Sequence, residues 1–426
     1  MADRPRDSER RDERALDALN FFLADVRDGV GPYLSSFLKT RRWDSSVIGL
    51  VMSATGIAKI AFQTPAGALI DRVRERRLIV VVAAILVSAG CASIAFFPNP
   101  MIVISAQMFT GMGAAVFPPA IAALSLGLVG RARFTRRTGR NEAFNHLGNV
   151  AAATLAGLLG WYVSFEAMFI LVAVMGVGCV VSVLMIRERD IDPALARGAD
   201  RIKTADGRET IRIAAIGELL KDRNLLAFAT AIVLFHFSNA AMLPLVGQKI
   251  AKLYGDESNA SAAAMSACVV AAQLVMIPVS LAAGRLARSW GRLPLLAIAF
   301  GILPIRGYLY TLTNTSAGLV AVQLLDGVGA GTLGVVGVLV IADLTRGTGR
   351  FNLMQGALST VTDLGASLSH ATTGIVVSKY GYDAGFLTLA AIALVAFLFL
   401  IATIGETRGQ EESIDSTSKH NQYINI

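Results

Sequence analysis

The chain has 426 residues, of which 54% are hydrophobic and 16% charged, with a formal net charge of +8 and a mean hydropathy of +0.57. Soluble domains carry about 25% charged residues, so the composition excludes an ordinary soluble globule. The positive charge is sorted between loops rather than gathered in one patch, which excludes nucleic acid as its reason.

In chain order, residues 1–16 mix acids with bases and lack the basic-then-apolar order of a secretory signal, so no cleaved leader is expected. Apolar blocks then run over 17–38, 46–70, 78–97, 101–129, 141–163, 166–186, 223–248, 260–283, 293–312, 316–343, 351–377 and 383–404. Each is long enough to cross a hydrocarbon core of about 30 Å as a helix. The fold class is therefore an all-α polytopic membrane protein with twelve transmembrane helices. The one long polar connection is 187–222. The three cysteines, Cys91, Cys179 and Cys268, lie inside apolar blocks, with no spacing that suggests a metal site or disulfide framework.

Lys and Arg number four at 71–77, five at 130–140, nine at 187–223, three at 284–292 and two at 345–350; the alternate loops hold three, two and one. The basic side is cytoplasmic by the positive-inside rule. Both termini are then expected in the cytoplasm, with the chain integral to a plasma membrane (the inner membrane of a bacterium).

The chain also repeats itself. GALIDRVRERR begins at Gly67 and GRLARSWGR at Gly284. QMFTGMGAA begins at Gln107 and QLLDGVGAG at Gln323. TGR occurs at 138–140 and at 348–350. Three pairs in the same order and at nearly the same spacing predict two six-helix bundles, 17–186 and 223–406. A cytoplasmic linker, 187–222, joins them, and tails at 1–16 and 407–426 flank them. Internal repeats around a central site mark secondary transporters.

On these residues the sequence resembles the major facilitator superfamily over about 15–406. The family's loop between helices 2 and 3 has the form G-x-L-a-D-R-x-G-R-R, matched here by Gly67, Leu69, Asp71, Arg72, Arg76 and Arg77; Arg74 stands at the second glycine. The second copy keeps Gly284, Leu286, Gly291 and Arg292 but has Arg288 where an acid is usual. The resemblance implies that this loop latches the cytoplasmic side, with Asp71 on helix N-termini or bases and the arginines bracketing it. Otherwise the loop is an ordinary basic one. The drug-efflux branch often has an arginine at the position of Gln107 and a Gly-Pro motif in helix 5. This chain has GNVAAATLAGLLG at 148–160, which weakens that branch and not the superfamily.

Ionisable residues inside the blocks are the candidates for proton coupling or substrate contact, since an unpaired charge there costs at least about 2.5–3.5 kcal/mol. Asp25 and Asp28 share one face of helix 1 with Pro32, and Arg27 points away. Two acids so spaced suit a proton carrier; the other reading is that Asp25 pairs with a neighbouring base. Lys59 reaches that acidic face if helices 1 and 2 are adjacent. Asp363 and His370 lie on a polar stripe through helix 11 and fit a proton relay or plain interhelical hydrogen bonding. Asp326 takes a cation or pairs with Arg306, whose own placement favours snorkelling. His236 and Asn239 sit one turn apart ahead of a proline in helix 7.

The glycine clusters at 111–115 and 327–331 have neither the lysine nor the spacing of a P-loop and read as close helix packing. With no ATP-binding motif, transport runs on a gradient. The expectation is a proton-coupled exporter of a small organic solute, in the bilayer, without cofactor or metal, and monomeric. Uptake or facilitated passage of an organic anion on Arg27 and Lys59 is the alternative. An intramembrane enzyme and a transporter-like sensor rank lower, because RDGVG and LDGVG do not fit a membrane aspartyl protease and the tail is too short for an output domain.

Overall fold

Backbone in hydrocarbon must satisfy its own hydrogen bonds, so apolar blocks of this length have little choice but helix. The computed structural model describes residues 6–28, 34, 37–38, 41–43, 45–203, 209–211, 213–219, 221–254 and 259–407. Its helices are α1 (Arg6–Asp28), α2 (Ser45–Arg72), α3 (Arg76–Phe96), α4 (Pro100–Tyr162), α5 (Phe165–Met185), α6 (Pro193–Ala196), α7 (Ile216–Leu219), α8 (Arg223–Asn239), α9 (Met242–Tyr254), α10 (Asn259–Ser289), α11 (Leu293–Leu312), α12 (Ser316–Leu344) and α13 (Phe351–Thr403). A small antiparallel ribbon pairs β1 (Arg201–Lys203) with β2 (Glu209–Ile211).

Short polar side chains set the helix starts. Asn99 accepts from the Ile102 amide at 3.0 Å, with Pro100 at the first helical position. Thr315 accepts from Gly318, Ser164 from Ala167, and Asp222 from Asn224 and Leu225. Each satisfies an amide that the first turn leaves open.

Eight helical stretches among the described residues are long and apolar enough to cross a membrane. Two of these, α4 and α13, each contain two blocks of the sequence. With these, α2 corresponds to the second expected block and α1 to the first part of the first, most of whose remainder lies outside the described residues.

Three boundaries differ from the expectation. Residues 131–140 are helical rather than a loop, and α4 breaks only at Gly130 (φ 69°). In α13 the break is at Gly381 (φ 83°). Glycine takes positive φ without a Cβ clash, so one residue does what a loop would otherwise do. Block 7 divides into α8 and α9 ahead of Pro244, whose missing N–H cannot continue the ladder. The Ala241 amide at that break donates to Ser369 Oγ at 3.0 Å.

The chain forms two compact units, 1–213 with 347–363 and 214–346 with 364–426. In the first, α1, α3 and α5 pack on α4, and α2 lies against α4. In the second, α12 carries α10 and α11. Its apolar core joins Met242, Val246, Cys268, Tyr310, Leu319 and Phe386. Large apolar side chains that stay exposed, such as Phe96, Met101 and Val174, are what lipid-facing surfaces present.

The middle of α1 is fixed by charge. Arg137 and Arg140 of α4 both bind Asp17, Arg137 at 2.6 Å. Asn141 accepts from Arg137 and Asn20 and donates to Ser125. Asp17 and Arg137 are almost fully buried; Asp17 has a second base in Arg140, so it is the loss of Asp17 that strands a buried charge, that of Arg137. Asp17→Asn is expected to lower stability by about 3–5 kcal/mol, read as a fall in melting temperature of the detergent-purified protein. Arg137→Met with Asp17→Asn recovers much of that loss.

Candidate functional site

Two clusters sit on the contact between α2 and the start of α13, within the first unit. The first is at the end of α2. Asp71 accepts from the backbone amides of Asn352 (3.3 Å) and Leu353 (2.9 Å), the opening turn of α13, and from Asn352 Nδ2 at 2.8 Å. A carboxylate there meets both the open amides and the positive end of the helix dipole. The approach depends on Gly67, because a Cβ there would run into the Asn352 carbonyl. One turn deeper, Gly356 comes equally close to the Gln63 carbonyl.

The motif's bases do not hydrogen-bond Asp71; of them Arg76 acts on it through its charge alone. Arg76, fully buried, donates to the Ile70 carbonyl at the end of α2 and to Pro193 O at 3.5 Å. Arg77 binds Glu188 at 2.5 Å and the Ile186 carbonyl. Arg72 is exposed. These bases hold residues 186–200, which lie as a strap on α4. There the Asp192 amide donates to Gly127 O at 3.0 Å, with Ile191 and Ala196 buried. The strap in turn grips the start of α13: Phe351 N donates to Arg197 O, Gly347 N to Gly198 O, and Asn352 Nδ2 to Ala196 O at 2.8 Å. Asn352 therefore ties Asp71, the strap and α13 together.

The second cluster lies inside the apolar blocks. Lys59 Nζ donates to Asp363 Oδ1 at 3.1 Å, and Gln63 Nε2 donates to Asp363 Oδ2 at 2.6 Å. Thr64 and Thr360 hydroxyls meet beside them at 3.2 Å. Lys59 thus pairs with Asp363 rather than with Asp25. The Lys59 and Asp363 side chains keep 30% and 22% of their exposure, while Gln63 keeps 1%. Asp25 and Arg27 are half-buried on α1, and the Asp28 side chain lies outside the described residues. His370 is exposed.

In the second unit, Arg306 does not snorkel. It is 1% exposed, pairs with Asp326, and donates to Asn239 Oδ1 at 2.6 Å. Gln323 Nε2 donates to the other Asp326 oxygen at 3.1 Å, and Tyr310 donates to Gln323. His236, half-buried, packs edge-on against Phe235. In the second loop copy, Gly284 is buried in α10 and Gly291 (φ +95°) lies against Glu406. Arg292 binds Asp343 at 2.9 Å and the Ala287 carbonyl at 2.6 Å, closing the end of α10 as Arg76 closes α2. Glu406 accepts from the Arg292 and Leu293 amides.

Sequence reasoning missed Gln63, Asn352, Gln323 and the strap. Neutral amides carry no insertion penalty large enough to flag them. The buried positions of the strap, Ile186, Ile191, Ala194, Ala196 and Ala199, were the one signal available in an otherwise polar run.

Burial pushes the Asp71 carboxyl up to about 6 from 3.8, against the opposing pull of the Leu353 and Asn352 hydrogen bonds and the Arg76 charge. The folded state then binds the proton more tightly than the unfolded chain. The resulting stabilisation is full below about 3.8 and is lost as pH rises through about 6. The melting temperature of the wild type relative to Asp71→Asn should therefore fall between these pH values and level off above 7. Parallel profiles would contradict this.

The family model of the Major Facilitator Superfamily matches residues 16–305 and 242–424. An uncharacterised MFS-type transporter of Mycobacterium tuberculosis strain H37Rv is 46% identical over 395 residues, covering 92% of this chain and 93% of the relative. Sugar efflux transporter A of Dickeya chrysanthemi is 25% identical over 380 residues, covering 86% and 88%. Among solved structures, the MFS transporter FucP in the outward conformation matches with a TM-score of 0.71 at 14% identity, over 92% of this chain and 98% of that one. The chain is a membrane transporter and belongs to the major facilitator superfamily.

Proposed function

We propose that the protein exports a small organic solute in exchange for protons, by alternating access, with Asp363 as the proton carrier. The observation that carries this reading is the Lys59–Asp363 pair, a titratable carboxylate held by a lysine within apolar helices. Ionised, Asp363 anchors α13 to Lys59 and Gln63 of α2. A proton on Asp363 cancels the charge and with it the ion pair to Lys59. The way α2 holds the start of α13 thereby depends on protonation, as a coupled cycle needs.

Of the two cations that an organic anion would use, Arg27 and Lys59, Lys59 is matched by Asp363; the other buried base, Arg306, is matched by Asp326. This favours a neutral polar solute over an anion. The relative named for sugar efflux makes sugars the first class to test. In this reading the bundles are 17–186 and 223–406, joined by a cytoplasmic linker at 187–222. The chain works as a monomer in a bacterial inner membrane, with both termini cytoplasmic; the loop charges support that orientation.

The test is uptake of labelled neutral sugars into proteoliposomes with an imposed pH gradient. An antiporter accumulates solute on the acid side. The expected result is accumulation in acid-lumen vesicles, reduced at least about tenfold (about 1.4 kcal/mol) in Asp363→Asn, with downhill exchange retained. Accumulation on the alkaline side would establish symport and overturn export. Accumulation of organic anions alone would overturn the neutral-solute assignment.

A further inference from the structure

Asp363 is held at both oxygens from one helix. Lys59 and Gln63 lie one turn apart on α2; Lys59 donates to Oδ1 and Gln63 to Oδ2. The two donors respond differently once the acid is protonated. An ammonium has donors only, so it holds the carboxylate and has nothing to offer the neutral acid's O–H. A glutamine amide has a donor end and an acceptor end on one rotatable plane. It meets a carboxylate with its nitrogen and a carboxylic acid with its oxygen.

The surroundings of Gln63 favour this second use. Its side chain is almost wholly enclosed, and its Oε1 is buried with no hydrogen-bond partner. A buried acceptor left open costs about 1–3 kcal/mol. Half a turn of the amide plane brings that oxygen to Asp363 Oδ2. Each orientation leaves one amide end unpaired, so the charge on Asp363 decides between them. The glycine at 356, against the Gln63 backbone carbonyl, keeps the two helices near enough for either bond.

We infer that Gln63 is the positioning residue of this site, holding Asp363 against α2 in both protonation states by turning its amide. This rests on the proton-carrier reading of Asp363. A proton from the aqueous phase adds to Oδ2 of the carboxylate; the new O–H donates to Gln63 Oε1; Lys59 keeps its own proton and loses its counter-charge, with only the neutral carbonyl Oδ1 left to accept from it. Proton binding thus moves the stronger hold on Asp363 from Lys59 to Gln63, without parting the helices at this level. The uncompensated ammonium, 30% exposed in the paired state, becomes available to the aqueous side or to solute.

The test needs no solute. Infrared difference spectra of the purified protein between neutral and acid pH report protonated carboxyl groups and side-chain amides. The expected result is a carboxylic C=O band that disappears in Asp363→Asn, accompanied by a glutamine amide band that shifts on 15N-glutamine labelling and also disappears in Asp363→Asn. In Gln63→Met the carboxylic band moves to higher frequency, as a weaker hydrogen bond requires, and the amide band is lost. An Asp363 band at the same frequency in wild type and Gln63→Met overturns the inference. If Gln63→Met does not fold, the amide band in the wild type decides alone, and its absence beside an intact Asp363 band overturns the inference. No band sensitive to Asp363→Asn overturns both the inference and the proton-carrier reading. A full set of bands together with proton-independent flux in vesicles leaves the inference standing and removes the coupling.

Discussion

An ionised side chain enclosed among apolar helices must meet an opposite charge, and that requirement organises much of this molecule. Lys59 meets Asp363, Arg306 meets Asp326, Arg137 meets Asp17 and Arg292 meets Asp343. In each pair the partners come from different elements, so each pair also fixes how those elements pack. The pairs are not equivalent in consequence. Arg137 and Arg306 are sealed, and a sealed pair with further hydrogen bonds is difficult to open. Lys59 and Asp363 keep part of their exposure. That difference separates sealed pairs from an accessible one.

The Asp71 cluster shows how a loop motif acts through backbone. Asp71 binds two amides at the start of α13, and Arg76 and Arg77 bind carbonyls of the strap and of α2 itself. Asn352 joins the two sets by spending both hydrogens of one amide nitrogen, one on Asp71 and one on Ala196. Any movement of α13 away from α2 therefore breaks bonds to the loop and to the strap together. Charge at Asp363 and charge at Asp71 act on the same helix contact from two depths.

Much of this was legible in the sequence. Apolar block length revealed the helices, and the repeat of Gly67 at Gly284 revealed the two related bundles. The cost of burying charge singled out Lys59, Arg306, Asp326 and Asp363 before their partners were known. The partners themselves were less legible. Lys59 and Asp363 are 304 residues apart, and helix rotations are not fixed by pattern over such a distance, so the sequence alone points Lys59 toward Asp25. For Arg306 the sequence offered both a pair with Asp326 and snorkelling; depth favoured snorkelling, and the structure has the pair. Gln63 and Asn352 escaped because a neutral amide in a helix raises no alarm. Gly130 and Gly381 hid their turns because one residue of positive φ leaves no polar loop to see.

The central claim is that Lys59 and Asp363 act as one charge pair holding α2 to the start of α13. A double-mutant cycle with Lys59→Met and Asp363→Leu, read by thermal unfolding in detergent at neutral pH, tests it most directly. The account predicts that each single change destabilises, that the double variant regains most of the loss, and that the coupling falls within about 0.5–3 kcal/mol. Additive effects, with no coupling between the two positions, would contradict it.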